Sequence, residues 1–339
     1  MRARTVHRSV LIASVMLLVA SACSRTPSGP QKYSVDIDAK STATEKFQFS
    51  AFFPGSFTVS PGDSIKFRNR STEAPHTVTF GVTTDRSNQP PIFAGTGENP
   101  VVFSKCSSDD LPTDKLVKCP NERLAAFDGR GYWNSGILQP KPAPKSAGDK
   151  NVTLKLANDI TPGQYSYVCI LHPLMNGEIR VIEDEADRSK PADVRNEGRD
   201  AAKAARESAE KIAAPELVRE GDEVTVNAGF GDRVTSVNLY APAKVEVDEG
   251  TTVKWVAGNP YEPHTVTFEP KYDIGDARGF SADGAPSGAS YDGGHANSGI
   301  FGAEGSPFEG EYSLEFTEAG TYEYVCMLHP GQKGTVVVE

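Results

Sequence analysis

Apolar and polar positions alternate along much of this chain with the two-residue period of half-buried strands. Residues 33–37 alternate in this way. Residues 47–53, 56–60 and 64–67 predict further strands, separated by Pro54-Gly55 and Pro61-Gly62 turns. Residues 77–80 and 151–156 continue the series, and 224–226, 236–240, 245–247, 252–255 and 311–316 resume it later. Three stretches break the period. Residues 81–127, with Pro90-Pro91 and little periodicity, predict an extended loop region, and the Gly-rich residues 275–311 another. Residues 191–214 are rich in Ala, Glu, Lys and Arg and lack aromatics, which predicts a helix with Ser189 as N-cap and Pro215 past its end. Glu207 and Lys211 are ordered for an i,i+4 pair, and Gly198 weakens the first half. Its apolar stripe is mostly alanine, so the helix either spaces its neighbours or docks along one of them.

The pattern occurs twice. Residues 165–177 read Tyr-Ser-Tyr-Val-Cys-Ile-Leu-His-Pro-Leu-Met-Asn-Gly, and residues 322–334 read Tyr-Glu-Tyr-Val-Cys-Met-Leu-His-Pro-Gly-Gln-Lys-Gly. Upstream, Pro-His-Thr-Val-Thr occurs at His76 and again at His264. Gly62 to His76 and Gly250 to His264 are both 14 residues, and Pro54 to Gly62 and Pro242 to Gly250 are both 8. His76 to Cys169 is 93 residues and His264 to Cys326 is 62, so the first copy carries 31 more. Two copies of one domain follow, the first with an insertion. Asn-Ser-Gly-Ile recurs at 134–137 and 297–300, which suggests a structural task. Tyr165, Tyr167 and Cys169 share one strand face.

Each copy gathers a cysteine, a histidine three residues on, a further donor three residues after that, and an upstream histidine. Thiolate, two imidazoles and a weak axial donor suit a trigonal copper site. These motifs resemble the cupredoxins, the blue copper proteins of the plastocyanin and amicyanin type, over roughly residues 45–182 and 222–339. The short Cys-x-x-His-x-x-Met loop is most similar to that of amicyanin. The resemblance implies an all-β protein of two tandem Greek-key β-sandwiches. It also implies two type 1 copper ions per chain, held by His76, Cys169, His172 and Met175 and by His264, Cys326, His329 and Gln332. It places the edges of His172 and His329 near the surface in apolar patches, to which Pro173, Leu174 and Pro330 contribute. Thr77 and Thr265 depart from the family, which commonly has Asn there to tie the ligand loops together. Axial glutamine resembles stellacyanin, so the second copper is expected to have the lower potential and to pass electrons to the first.

The N-terminus refines this picture. Arg2, Arg4 and Arg8 precede an apolar run from Val10 to Ala20, then Ala20-Ser21-Ala22-Cys23. Residues 1–22 read as a signal peptide, too short to span a membrane. The small residues before Cys23 resemble a bacterial lipoprotein signal, with Cys23 lipidated; plain secretion is the alternative. Residues 23–32 then form a tether, 33–183 the first domain, 184–218 a helical linker and 219–339 the second domain. Of five cysteines, Cys106 and Cys119 remain, both in the insertion. In an oxidising compartment they read as a disulfide worth about 3 kcal/mol, with two free thiols as the alternative. The formal net charge is −10, and removing residues 1–22 takes it to −13. That argues against a nucleic-acid partner.

There are 6 histidines: His7 lies in the signal, four are assigned to copper, and His295 remains in the Gly-rich loop. Multicopper oxidases and copper nitrite reductases need more, so no enzyme is expected. The expectation is an extracytoplasmic, lipid-anchored electron-transfer protein on the bacterial cell membrane, exchanging electrons with a redox donor and a redox acceptor. A cell-surface copper storage protein, or an interaction module with relic sites, are the other readings.

Overall fold

A computed structural model describes residues 28–40, 47–72, 74–82, 105–108, 124–140, 149–172, 174–259, 261–304, 306 and 308–339. The signal, Cys23 and Cys119 lie outside these residues, and so does the side chain of Cys106.

The strands form two sandwiches. In the first, one sheet runs Phe52–Phe53, Lys32–Ile37, Ser64–Asn69, Asn151–Lys155. It faces a sheet ordered Ser56–Val59, Asn176–Val181, Gly163–Val168, Thr79–Phe80, Tyr132–Ser135, Lys105–Ser108. Alternation puts Val35, Ile65, Phe67, Leu154, Tyr167 and Ile179 into the core between them. The second sandwich repeats the plan around Trp255, Phe268, Phe316 and Tyr324. In each, an early strand runs parallel to the strand after the Gly62 or Gly250 turn: Lys32–Ile37 beside Ser64–Asn69, and Glu223–Gly231 beside Thr251–Gly258. Within the region expected to be loop, Lys105–Ser108 extends the first sandwich, pairing with Tyr132–Ser135. In the Gly-rich stretch, Asp283–Gly284, Ala289–Tyr291 and Ala296–Asn297 add short strands to the second.

Residues 47–53 are not one strand. The chain reverses at Ala51, whose N–H donates to Phe49 O at 2.8 Å. Phe52–Phe53 pairs with Lys32–Ile37, but Phe47–Phe49 joins the second sandwich, antiparallel to Thr235–Ala241. One sheet is therefore built from both halves of the chain, and the added strand covers an edge that would otherwise be open.

The helix Pro191–Ala209 starts at Lys190 without a side-chain cap. Ser189 is not its cap: its hydroxyl accepts from Thr58 N–H at 3.0 Å instead. The helix ends before Lys211, so Glu207 pairs with Lys203, at 3.3 Å, rather than with Lys211. Gly198 has a packing reason, since a Cβ there would meet Phe53 O at 2.6 Å. The helix docks on Lys32–Ile37, Phe52–Phe53 and Thr235–Ala241. Ala202, Ala205 and Ala209 pack with Phe47, Phe49, Phe53, Phe230 and Val237 in a third core between the sandwiches. Small side chains let the helix approach closely enough to seal that core.

Candidate metal centres

Each sandwich brings a cysteine and two histidines together at one end. His76, Cys169 and His172 form one buried group and His264, Cys326 and His329 the other, with the donor atoms of each group within 4.8 Å of one another. In the first, Cys169 Sγ lies 3.4 Å from His172 Nδ1 and 3.8 Å from His76 Nδ1. In the second, Cys326 Sγ lies 3.5 Å from His329 Nδ1. Gln332 is fully buried, and its Oε1 lies 3.0 Å from His264 Nδ1 and 3.2 Å from His329 Nδ1. The amide oxygen thus lies beside the two Nδ1 atoms rather than facing solvent. Met175 is buried in the first core together with Cys169.

Local backbone geometry explains the convergence. Cys169 N–H donates to Met175 O at 2.9 Å, and Met175 N–H to His172 O at 3.2 Å. The twin loop has Cys326 N–H to Gln332 O at 3.0 Å and Gln332 N–H to His329 O at 3.1 Å. These turns fold seven residues back on themselves. His76 is held by paired backbone hydrogen bonds with Leu138, of 3.0 and 2.7 Å, and His264 by a pair with Phe301, both 2.9 Å. The repeated Asn-Ser-Gly-Ile secures that pairing. Ser135 Oγ accepts from Val78 N–H and Ser298 Oγ from Val266 N–H, each at 2.8 Å, while Asn134 and Asn297 accept from Gly136 and Gly299 N–H.

The threonines in the family's Asn position tie the loops together by another route. Thr77 N–H donates to Cys169 Sγ at 3.3 Å, and Thr77 Oγ1 accepts from Ile170 N–H at 3.0 Å. Thr265 N–H donates to Cys326 Sγ at 3.4 Å, and Thr265 Oγ1 accepts from Met327 N–H at 2.7 Å. One residue thus binds the thiolate and fixes the backbone beside it.

The electrostatics favour a metal-ready thiolate. Burial opposes ionisation of Cys169, but His172 and His76 outweigh it and hold the thiol well below its usual range. Cys326 is held low against burial by His329 and His264. Burial likewise opposes charge on His76, yet Asp38 and Cys169 raise it to about 9, and Cys326 and Glu262 raise His329 to about 10. A buried thiolate with two imidazole Nδ1 atoms aimed at one point fits copper: donors about 2.0–2.3 Å from a common ion lie this far apart.

The outer ring nitrogens differ from expectation. His172 and His329 do not present surface edges; they are 4% and 2% exposed. Both face the carboxylate of Glu262, itself buried. Its Oε1 accepts from His329 Nε2 at 2.9 Å, and its Oε2 lies 3.6 Å from His172 Nε2. Burial would raise Glu262, but His172 and His329 bring it down to about 2. His76 Nε2 lies 3.3 Å from buried Asp38. Asp38 follows Ile37, paired with Asn69; Gly229 follows Ala228, paired with Ala257. Asn69 and Ala257 each precede their histidine by seven residues, so Gly229 is the counterpart of Asp38. Both have positive φ, 60° and 68°. A Cβ on Gly229 would come within 2.2 Å of His264 Nε2, and that nitrogen has no hydrogen-bond partner.

Glu262 and Asp38 were not foreseen. Glu262 left a trace, since Glu262-Pro-His stands where the first copy has Ala74-Pro-His. Asp38 left none, because only the pairing of Lys32–Ile37 with Ser64–Asn69 brings it beside His76. His295 stays in its loop, with Nδ1 2.8 Å from Glu269 O and Nε2 3.3 Å from Asp283, and joins neither cluster.

Residues 231–339 match the family described as copper binding proteins, plastocyanin/azurin family. An amicyanin from Paracoccus denitrificans is 64% identical over 31 residues, 9% of this chain and 24% of that protein. An amicyanin from Paracoccus versutus is 30% identical over 100 residues, 30% of this chain and 58% of that protein. The chain therefore spans less than two thirds of either relative. Among solved structures, a Cu(I) methionine-to-glutamine variant of amicyanin is 28% identical and covers 35% of this chain and 85% of its own, with a TM-score of 0.22. A purple cupredoxin from Nitrosopumilus maritimus is 23% identical, covering 34% of this chain and 98% of its own, with a TM-score of 0.20.

Proposed function

We infer, for a chain that belongs to the cupredoxin family of copper-binding proteins, a two-centre carrier that moves single electrons and transforms no substrate. The observation that carries this reading is the pair of buried His/Cys/His groups, one per sandwich, each with its thiol held well below the usual range by the neighbouring histidines. In this reading His76, Cys169, His172 and Met175 hold one copper, and His264, Cys326, His329 and Gln332 the other. Copper bound there supplies a Cu(I)/Cu(II) couple. The protein's own contribution is rigidity. Thr77 and Thr265 fix the thiolates, the Leu138 and Phe301 pairings fix the upstream histidines, and the closed ligand loops fix the rest. A donor set that does not reorganise lets an electron come and go with little nuclear motion. The chain is further proposed to act outside the cytoplasm, anchored by lipid on Cys23, between a redox donor and a redox acceptor. The disulfide between Cys106 and Cys119 belongs to the same proposal.

The test is the visible and electron paramagnetic resonance spectrum of the copper-loaded protein, with copper counted per chain. Two coppers are expected, with an intense thiolate band lost on reduction and regained on oxidation. Cys169→Ala and Cys326→Ala should each remove one copper and leave the other. Saturation at one copper in the wild type would refute the two-centre reading. Tight Cu(I) binding without reversible redox would instead support storage.

A further inference from the structure

Between the two clusters lies one ionisable side chain that the proposed copper ligation does not use. Glu262 is 5% exposed, and its two oxygens face opposite ways. Oε1 takes His329 Nε2 at 2.9 Å from the second sandwich, and Oε2 stands 3.6 Å from His172 Nε2 of the first. Gln48 Nε2 donates to Oε2 at 2.8 Å, which fixes the carboxylate, and Glu262 N–H donates to Asn259 Oδ1 at 3.1 Å, which fixes the backbone that carries it. Gln48 belongs to the strand that the first half of the chain contributes to the second sandwich, and Asn238 Nδ2 donates to its Oε1 at 2.9 Å. Both histidines point Nδ1 at their cysteine. Metal on Nδ1 leaves the ring proton on Nε2, so each ring offers an N–H to the same carboxylate.

We propose that Glu262 joins the two copper centres into one coupled redox unit, with electrons passing between them across the His172–Glu262–His329 bridge. This rests on the electron-transfer reading above. The step is a one-electron exchange: Cu(I) at one site is oxidised to Cu(II) while Cu(II) at the other is reduced to Cu(I). The same burial closes the His172 and His329 edges to outside proteins, so an external donor or acceptor meets this chain elsewhere on its surface.

The test uses the full chain loaded with two coppers. A pulse of a one-electron organic radical reduces part of the copper, and the later redistribution between the sites is followed by absorbance. Wild-type protein should redistribute at a rate independent of protein concentration. Glu262→Gln removes the charge and leaves one oxygen that can accept from only one of the two rings, and should slow that rate by about tenfold or more. It should also raise the potentials of both coppers together, which a role confined to holding the sandwiches in place would not do. Independently, the fully oxidised wild type should show an electron paramagnetic resonance spectrum broadened beyond the sum of the Cys169→Ala and Cys326→Ala spectra. Two reversible coppers with no concentration-independent redistribution, a rate in Glu262→Gln within about twofold of wild type, or a wild-type spectrum equal to that sum would each overturn the bridge and leave the electron-transfer reading standing. Loss of reversible redox at both coppers would overturn that reading itself.

Discussion

Asp38→Asn isolates an electrostatic difference between the two centres. The substitution keeps the shape of the side chain, and an amide oxygen at the Oδ1 position can still accept from Ala39 N–H and Phe49 N–H as the carboxylate does. It removes the carboxylate 3.3 Å from His76 Nε2, for which the second centre has only Gly229. With the metal about 2 Å beyond Nδ1, the carboxylate lies about 6–7 Å from it across the ring. At an effective dielectric constant of about 20, a unit charge at that range is worth about 2.5 kcal/mol. At about 59 mV per 1.4 kcal/mol for one electron, the first copper's potential should rise by about 100 mV. A nearby anion stabilises Cu(II) over Cu(I), which sets the sign. In the proposed ligation Asp38 works against Met175: a thioether donor would raise the first copper's potential, and the carboxylate would lower it. The measurement is a redox titration of Asp38→Asn in the Cys326→Ala background, where only the first copper remains, followed by its visible band. The potential of the second copper, titrated in the Cys169→Ala background, should not move. An unchanged first potential with copper and colour retained would refute the assignment of Asp38 as a lever on His76.

Gln332→Met, titrated in the Cys169→Ala background, should raise the second copper's potential, because a soft thioether favours Cu(I) over the harder amide oxygen; no change would remove Gln332 from the donor set. Phe49→Ala empties a fully buried position in the core between the sandwiches and should cost about 3–5 kcal/mol. Single-tryptophan variants, with Trp133 reporting the first sandwich and Trp255 the second, should unfold together before that substitution and separately after it. Cys23→Ser should release the protein from membranes into the soluble fraction; wild-type protein found wholly soluble would rule out the anchor.

Much of this protein is written in short-range pattern. Two-residue alternation marked strands that the structure contains, such as Lys32–Ile37 and Glu311–Phe316. The repeated spacing disclosed two copies of one sandwich, and the short loop after each cysteine placed thiolate, imidazole and Met175 or Gln332 within seven residues of each other. These features are local, so the order of residues states them. Where local pattern misled, tertiary packing had overridden it. The apolar run at 47–53 looked like one strand, but its first half pairs across to Thr235–Ala241, where Phe47 and Phe49 enter the core between the sandwiches and Gln48 hydrogen-bonds to Asn238 and Glu262. The weak-looking Gly198 serves a close approach to Phe53. Residues acting across long separations were decided by the fold alone. Asp38 reaches His76 only through a parallel strand pairing, and Glu262 reaches His172 only because the sandwiches dock with their histidine edges inward. The sequence by itself determined which candidate donors stand close together; the packing of one sandwich on the other determined what surrounds them, because the charge a side chain feels depends on groups near in space and distant along the chain.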